Sequence, residues 1–406
     1  MSTSTSTSTT SDTSSTADTE SSSESGDMSS SGDESSSGSG GELDCNADGG
    51  DANKERFVVI SHPYDEDAGP AATYEVLRLS PGGELTTTGD SFEMGRSIFG
   101  EIAFTPSGRF GVVAQEDGSV GVFELDDAGE PTVIEATLTG DFYATGGMVM
   151  AEDGDVVWML EAQTQDNGGG IRRVAIGCDG VLTDEGQVAP GDVPYGLALL
   201  GDGRALVGAR SILDDDSVPG ANAHLLQWDD DPTVLAAAVA FDMDDPILSA
   251  VTLTADRRFG LLADNSGFSI VPNRIAVVQI GDDDSLSFTQ ELSELDDPYD
   301  IVTSPFDDTA IFVSGFGDAI IVMDYDPDGD PPFTIRGELE YDGPGPALPA
   351  NAVMLERGDL RGHVLVAENV AVRQVQFEGD GVVTDLGRLA FGEGLEDIVG
   401  VIGVQP

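Results

Sequence analysis

The sequence predicts an all-β protein: one seven-bladed β-propeller of four-stranded blades, closed by N- and C-terminal strands in one blade and preceded by a disordered tail. Three observations predict it. From Arg56 onward a unit of four short apolar strands separated by Gly, Asp and Pro turns recurs about every 50 residues, the period of a propeller blade. Six units read without a break, and the two ends of the chain supply the strands of a seventh. Before Arg56 the pattern stops, and Ser, Thr, Gly, Asp and Glu take over.

In order, residues 1–44 hold only Met28 and Leu43 as large apolar side chains after the start, too little to offset the entropy of ordering a backbone. The segment reads as a tether or stalk. Its Ser/Thr alternation, Ser2 to Thr10, is similar to the spacers behind the lipidated cysteine of exported bacterial lipoproteins, although no signal segment is present in this sequence. The expectation is an extracytoplasmic protein (cell surface, periplasm or secreted) that meets a membrane only through a lipid anchor; a solubilising tail on a cytoplasmic protein is the other reading. Residues 45–55 form a linker and residues 56–406 the propeller. Cys45 at the tail's root and Cys178 in the turn Gly177-Cys178-Asp179-Gly180 are the only cysteines. They can pair in an oxidising compartment, clipping the tail to the second blade, or stay as two separate thiols.

Each unit opens with an apolar strand and a turn, as in Ile102 to Gly108, Met148 to Gly154 and Leu197 to Gly203. A second strand follows, as in Phe110 to Ala114 and Phe259 to Ala263, then a third, as in Val120 to Leu125 and Arg274 to Ile280, then a shorter fourth, as in Phe333 to Glu340. For the seventh blade, Asp397 to Val404 is expected as the innermost strand, with Phe57 to Ile60, Tyr74 to Leu79 and Glu84 to Thr88 outside it. Placing both termini in one blade removes the open edge that a row of stacked sheets leaves.

Composition narrows the function. Lys+Arg 17 against Asp+Glu 76 gives a formal net charge of −59, which repels nucleic-acid phosphates and anionic headgroups alike. Nucleic acid is excluded as a partner on that ground, leaving a small molecule, a glycan or a protein, with the chain acting as a monomer. At about 1 M salt the screening length falls to about 3 Å, so a saline medium would relieve the repulsion.

Pro194-Tyr195-Gly196-Leu197-Ala198 and Pro298-Tyr299-Asp300-Ile301-Val302, with the Asp/Gly turns after them, resemble the blade openings of the seven-bladed YVTN and lactonase-like superfamily. The resemblance spans residues 56–406 and implies the fold. It does not single out a function, because lactonases, quinoprotein relatives, surface-layer proteins and binding modules share the repeat. Trp228-Asp229 occurs once, not blade after blade as in WD repeats.

Aligning the innermost strands places Glu101, Gly147, Gly196, Ala250, Asp300, Asn351 and Asp397 at the channel mouth. Glu101, Asp300, Asn351 and Asp397 offer oxygens that suit Ca²⁺; the alternative is that such residues bond the amides of the next blade. Long loops at His62 to Ala72, Gln163 to Gly170, Ser211 to Ala223 and Ser266 to Pro272 are expected to wall the mouth, with His62, Tyr64, Arg210 and Asn222 in or beside them. Asp324 to Asp330 is similar to the start of an EF-hand calcium loop but carries Ile335 where the loop needs a bidentate Glu, and an ordinary hairpin is the other reading. No Gly-x-Ser-x-Gly elbow is present, and the three histidines lie on three blades. The expected function is a surface-tethered binding or scaffold module with its ligand at the channel mouth. The alternative is a lactonase-like hydrolase with a central calcium ion.

Overall fold

The computed structural model describes residues 45–46, 50–67, 69–98, 102–138, 147–161, 169–229, 231–241, 248–264, 273–295, 297–315, 319–341 and 351–406. The expected disordered tail lies outside them. Seven antiparallel sheets form the blades: in five of them the four strands lie side by side in chain order, blade two carries an added fifth strand, and blade seven joins the last strand of the chain to the first three. Blade one is Ile102–Phe104, Phe110–Ala114, Val120–Leu125 and Pro131–Leu138. Blade five is Pro298–Thr303, Thr309–Ser314, Ala319–Tyr325 and Phe333–Glu340.

The turns explain why the strands end where they do. In blade one, Thr105 N–H donates to the Phe110 carbonyl and Gly108 N–H to the Thr105 carbonyl. Gly108 sits at φ +72, where a side chain is strained. Gly154 repeats the turn in blade two at φ +74.

Strand alternation then sends side chains to both faces of every blade. In strand Arg56–Tyr64, Phe57 and Val59 pack with Ile102, Val113 and Phe123 of blade one, while Val58 and Ile60 pack with Leu355 and Leu365 of blade six. The remaining interfaces repeat this arrangement, so that seven buried clusters fill the seven gaps between neighbouring blades.

Blade seven closes the ring, and its innermost strand is shorter than expected. Ile402–Val404 pairs with Arg56–Tyr64 (Ile402↔Ile60, Gly403↔Val59, Val404↔Val58), whereas Leu395–Asp397 is a turn of 3-10 helix. The outer strands, Pro70–Leu79 and Leu85–Glu93, run longer than the sequence suggested. The expected loop from His62 to Ala72 is therefore a long hairpin with a tight tip. There Asp65 N–H donates to the Gly69 carbonyl, and the Asp65 carboxylate accepts from Asp67 and Gly69 N–H. The loop at Ser211 to Ala223 does not wall the mouth over its first residues. Ser211–Ile212 turns outward and adds a fifth strand to blade two, pairing Ile212 with Gly191 and Ser211 with Asp192.

The linker is tied down at both ends. A disulfide joins Cys45 to Cys178, with the Cα atoms 5.6 Å apart. Asn46, fully buried, donates to the Ile176 carbonyl and the Asp155 carboxylate of blade two and accepts from Ser107 N–H of blade one. On blade six, Asn53 Oδ1 accepts from Asp359 N–H at 2.6 Å. The disulfide closes a loop with a sequence separation of 133, for which chain entropy sets an upper value of about 5 kcal/mol. Guanidinium unfolding with and without reductant should show a loss of stability approaching that value, and the Cys45→Ser, Cys178→Ser double variant should match the reduced protein.

Candidate functional site

The backbone sets the register at the channel mouth. The N–H that closes each innermost strand belongs to Thr105, Ala151, Leu200, Thr254, Ser304, Leu355 and Gln405. Four residues before each lie Glu101, Gly147, Gly196, Ala250, Asp300, Asn351 and Val401. Six of the seven positions are the expected ones, and the seventh is corrected from Asp397 to Val401. The acidic residue was displaced four positions because the 3-10 turn and the extended link after it occupy the stretch read as strand. Val401 is fully buried, its carbonyl accepting from Ser61 N–H and its N–H donating to Ser61 Oγ.

Glu101 lies outside the described residues. Asp300 spends both oxygens on backbone: Oδ1 accepts from Ile301 N–H and Oδ2 from Ala352 N–H of blade six, each at 2.8 Å. It is a clamp between neighbouring blades. Burial pushes its carboxyl up to about 6, against the pull of those two amides. Asn351, on the same rim, is buried, and its Oδ1 has no hydrogen-bond partner. Asp397 Oδ2 accepts from Gly394 N–H and fixes the 3-10 turn. Among the described residues, which do not include Glu101, no three His, Cys, Asp or Glu side chains are placed to share a metal ion.

The structure instead brings Asp397 and His62 to one cleft of about 470 Å³ at the seam between blades six and seven. Thr73, Glu75, Thr87 and Ser91 come from blade seven, and Phe391 and Glu396 from the link leaving blade six. His62 is held on three sides. Nδ1 lies 3.2 Å from the Ile398 carbonyl, Nε2 lies 3.4 Å from Glu75 Oε2, and Phe391 meets the ring edge-on with centroids 5.5 Å apart. The cleft thus offers carboxylates and hydroxyls around an aromatic wall, with His62 as its one basic lining residue. This acceptor-rich surface suits a ligand that donates hydrogen bonds and carries no negative charge. The sequence hid it because residues 62–91 and 390–397 meet only when the ring closes.

The other predicted residues have local roles. Tyr64 lies under the Arg96 guanidinium at 4.9 Å, and Arg96 also pairs with Glu116 at 2.6 Å. Arg210 follows the second strand of blade three, and its N–H donates to the Asp192 carbonyl. Its charge opposes the rise that burial gives the Tyr195 phenol. Asn222 is a structural clasp: Oδ1 accepts from Ala240 and Phe241 N–H, and Nδ2 donates to the Phe241 carbonyl. In the stretch from Asp324 to Asp330, Asp326 N–H donates to the Pro332 carbonyl and Gly329 N–H to the Asp326 carbonyl, closing a hairpin. Asp324 and Asp328 pair there with Arg336 and Arg258. Of the remaining loops, residues 163–168 and 266–272 lie outside the described residues.

No protein-family model matches the chain, and no curated protein matches it. Solved structures do match over most of its length. A putative 6-phosphogluconolactonase from Bacteroides fragilis is 13% identical with a TM-score of 0.59, over 88% of this chain and 99% of the other. A protein from Lactobacillus plantarum is 11% identical with a TM-score of 0.62, over 87% and 100%. A periplasmic gluconolactonase from Pseudomonas aeruginosa is 13% identical with a TM-score of 0.57, over 87% and 99%. What this chain shares with them is the fold, a seven-bladed propeller.

Asp300→Ala strands two amides and should cost about 1–3 kcal/mol in denaturant unfolding. The loss should be the same in calcium and in chelator; a loss confined to calcium would support the metal reading. The folded Asp300 pKa lies above its ordinary 3.8, so its contribution is fully present below about pH 4 and lost as pH rises through about 6. Wild type should therefore gain stability relative to Asp300→Asn as pH falls from about 7 to about 4.

Proposed function

We propose that this protein is an extracytoplasmic propeller that binds an uncharged, polyhydroxylated small molecule in the cleft between blades six and seven. The observation that carries the reading is the cleft's chemistry, in which Glu75, Glu396, Asp397 and three hydroxyl side chains surround His62 and Phe391. Carboxylates accept hydrogen bonds from sugar-type hydroxyls, an aromatic edge covers the apolar face of a ring, and a ligand carboxylate or phosphate would meet repulsion. The disulfide supports an oxidising compartment, and the fold shared with a periplasmic gluconolactonase agrees with it. The Ser/Thr-rich segment before Cys45 supports tethering away from a surface.

A second reading places chemistry at the same cleft. His62 beside Glu75 is a general-base arrangement, and the fold is shared with a putative 6-phosphogluconolactonase and a gluconolactonase. In a lactone hydrolase, water would add to the ester carbonyl while the base took its proton. The ring C–O bond would then break, and the ring oxygen would receive a proton to give the hydroxy acid. The phosphate of a phosphorylated lactone does not suit this acidic cleft, so a neutral lactone is the substrate class.

Calorimetry with sorbitol and glucono-1,5-lactone, with acid release followed at constant pH, separates the readings. Binding of both without acid release is the expected result, and Glu75→Gln should weaken it about tenfold, or about 1.4 kcal/mol. Acid release above the spontaneous rate that is lost in His62→Gln would establish the hydrolase. Absence of both binding and turnover would remove the cleft from consideration.

A further inference from the structure

A separate cavity of about 510 Å³ opens on the opposite end of the ring, where the innermost strands turn into the second strands. Blades six, seven, one and two contribute its wall, which is apolar over Phe104, Met150, Val353, Leu355 and Val404. Arg56, the first residue of the second strand of blade seven, also lies on that wall. It is 1% exposed.

Arg56 is unlike the other buried arginine. Arg373, 2% exposed, has Glu368 at 2.7 Å and Asp385 at 3.3 Å. Among the described residues Arg56 has no carboxylate partner. Its Nη2 donates to the backbone carbonyls of Ala52 at 2.5 Å and Arg357 at 3.4 Å, while Nε and Nη1 have no partner. Burial alone acts on its charge, lowering the pKa. Leaving a guanidinium uncompensated in the interior is destabilising. In a chain with 76 acidic residues, the lack of one here is not a shortage of supply. An arginine so placed, on the wall of a cavity with both apolar and polar lining, has the arrangement of a receptor for an anion brought from outside.

We infer that the turn-face cavity binds a small carboxylate with an apolar body, its carboxylate paired with Arg56 and its carbon skeleton against Phe104, Met150 and Val353. Arg56 is the charge that the ligand completes, and the apolar wall selects an alkyl or aryl acid over a hydroxylated one. Glu152, Glu356 and Arg357 stand exposed on the rim, and salt screens the two carboxylates against an entering anion. This site is independent of the cleft between blades six and seven and takes the opposite ligand charge.

The test uses the full chain with its disulfide intact in about 1 M NaCl, where the screening length is about 3 Å. Hexanoate, hexanamide and inorganic phosphate are titrated by calorimetry. Hexanoate is expected to bind one per chain at least about tenfold more tightly than either of the others, or about 1.4 kcal/mol. Arg56→Met is expected to abolish that binding and, ligand-free, to melt above the wild type, because it removes an uncompensated charge. Equal affinity for hexanoate and hexanamide, or hexanoate binding retained by Arg56→Met, overturns the proposal. Should that variant fail to fold, wild-type crystals soaked in hexanoate decide. A carboxylate hydrogen-bonded to Nε or Nη1 of Arg56 supports the site, and a carboxylate elsewhere, or none, overturns it.

Discussion

Every blade of this protein is apolar on both faces, so no blade can stand at the end of a row. That constraint forces the ring to close, and the rest of the structure depends on how it closes. The interface between blades seven and one buries ten apolar side chains, among them Phe57, Val59, Tyr74 and Phe123. At about 1.5–3 kcal/mol for each large side chain, an open interface would forfeit as much as the whole net stability of a typical domain. Gln405 finishes the closure. Its Oε1 accepts from Phe57 N–H in blade seven, and its Nε2 donates to the Gly108 carbonyl in the turn of blade one. Gly403 presses against Ile102, where an added Cβ would lie 2.5 Å from the isoleucine Cβ, so the closing strand reaches blade one only as glycine.

A second constraint is the surplus of acid. Three of the scarce arginines repeat one arrangement that neutralises two carboxylates at once. In blade two Arg172 joins Glu161 and Asp184, in blade four Arg274 joins Asp264 and Glu291, and in blade six Arg373 joins Glu368 and Asp385. In all three the acids come from the second and fourth strands and the arginine from the third between them. Each triad ties three strands across the top of its blade and lets an acidic side chain approach burial; Asp264 and Glu368 are 0% and 3% exposed. Against this background the isolation of Arg56 stands out.

The period, the turns and the apolar alternation made the fold legible, since they are local and repeat. The pairing of the two chain ends was legible too, because six complete units left strands over at both termini. The channel-mouth register was readable in six blades from the turn that ends each innermost strand. It slipped by four residues in blade seven, where Asp397 imitates Asp300 in sequence but sits in a 3-10 turn. Loop lengths misled for a different reason: extended residues such as His62 to Tyr64 and Ser211–Ile212 carry no turn signal, yet they pair with strands that the sequence alone does not place beside them. The cleft and the Arg56 cavity were not legible at all. Their walls come from segments about 300 residues apart that meet at the seam, and burial without a counter-ion is visible only in three dimensions.

Both candidate sites therefore inherit their geometry from the closing blade. The cleft lies between blades six and seven, and the turn-face cavity takes Val404 and Pro406 of the closing segment into its wall. The most direct test is guanidinium unfolding of a chain that stops at Gly400, beside the full chain under the same conditions. Closure by Ile402–Val404 predicts that the shortened chain loses most of its stability and its single cooperative transition. An unchanged midpoint and slope would contradict the account.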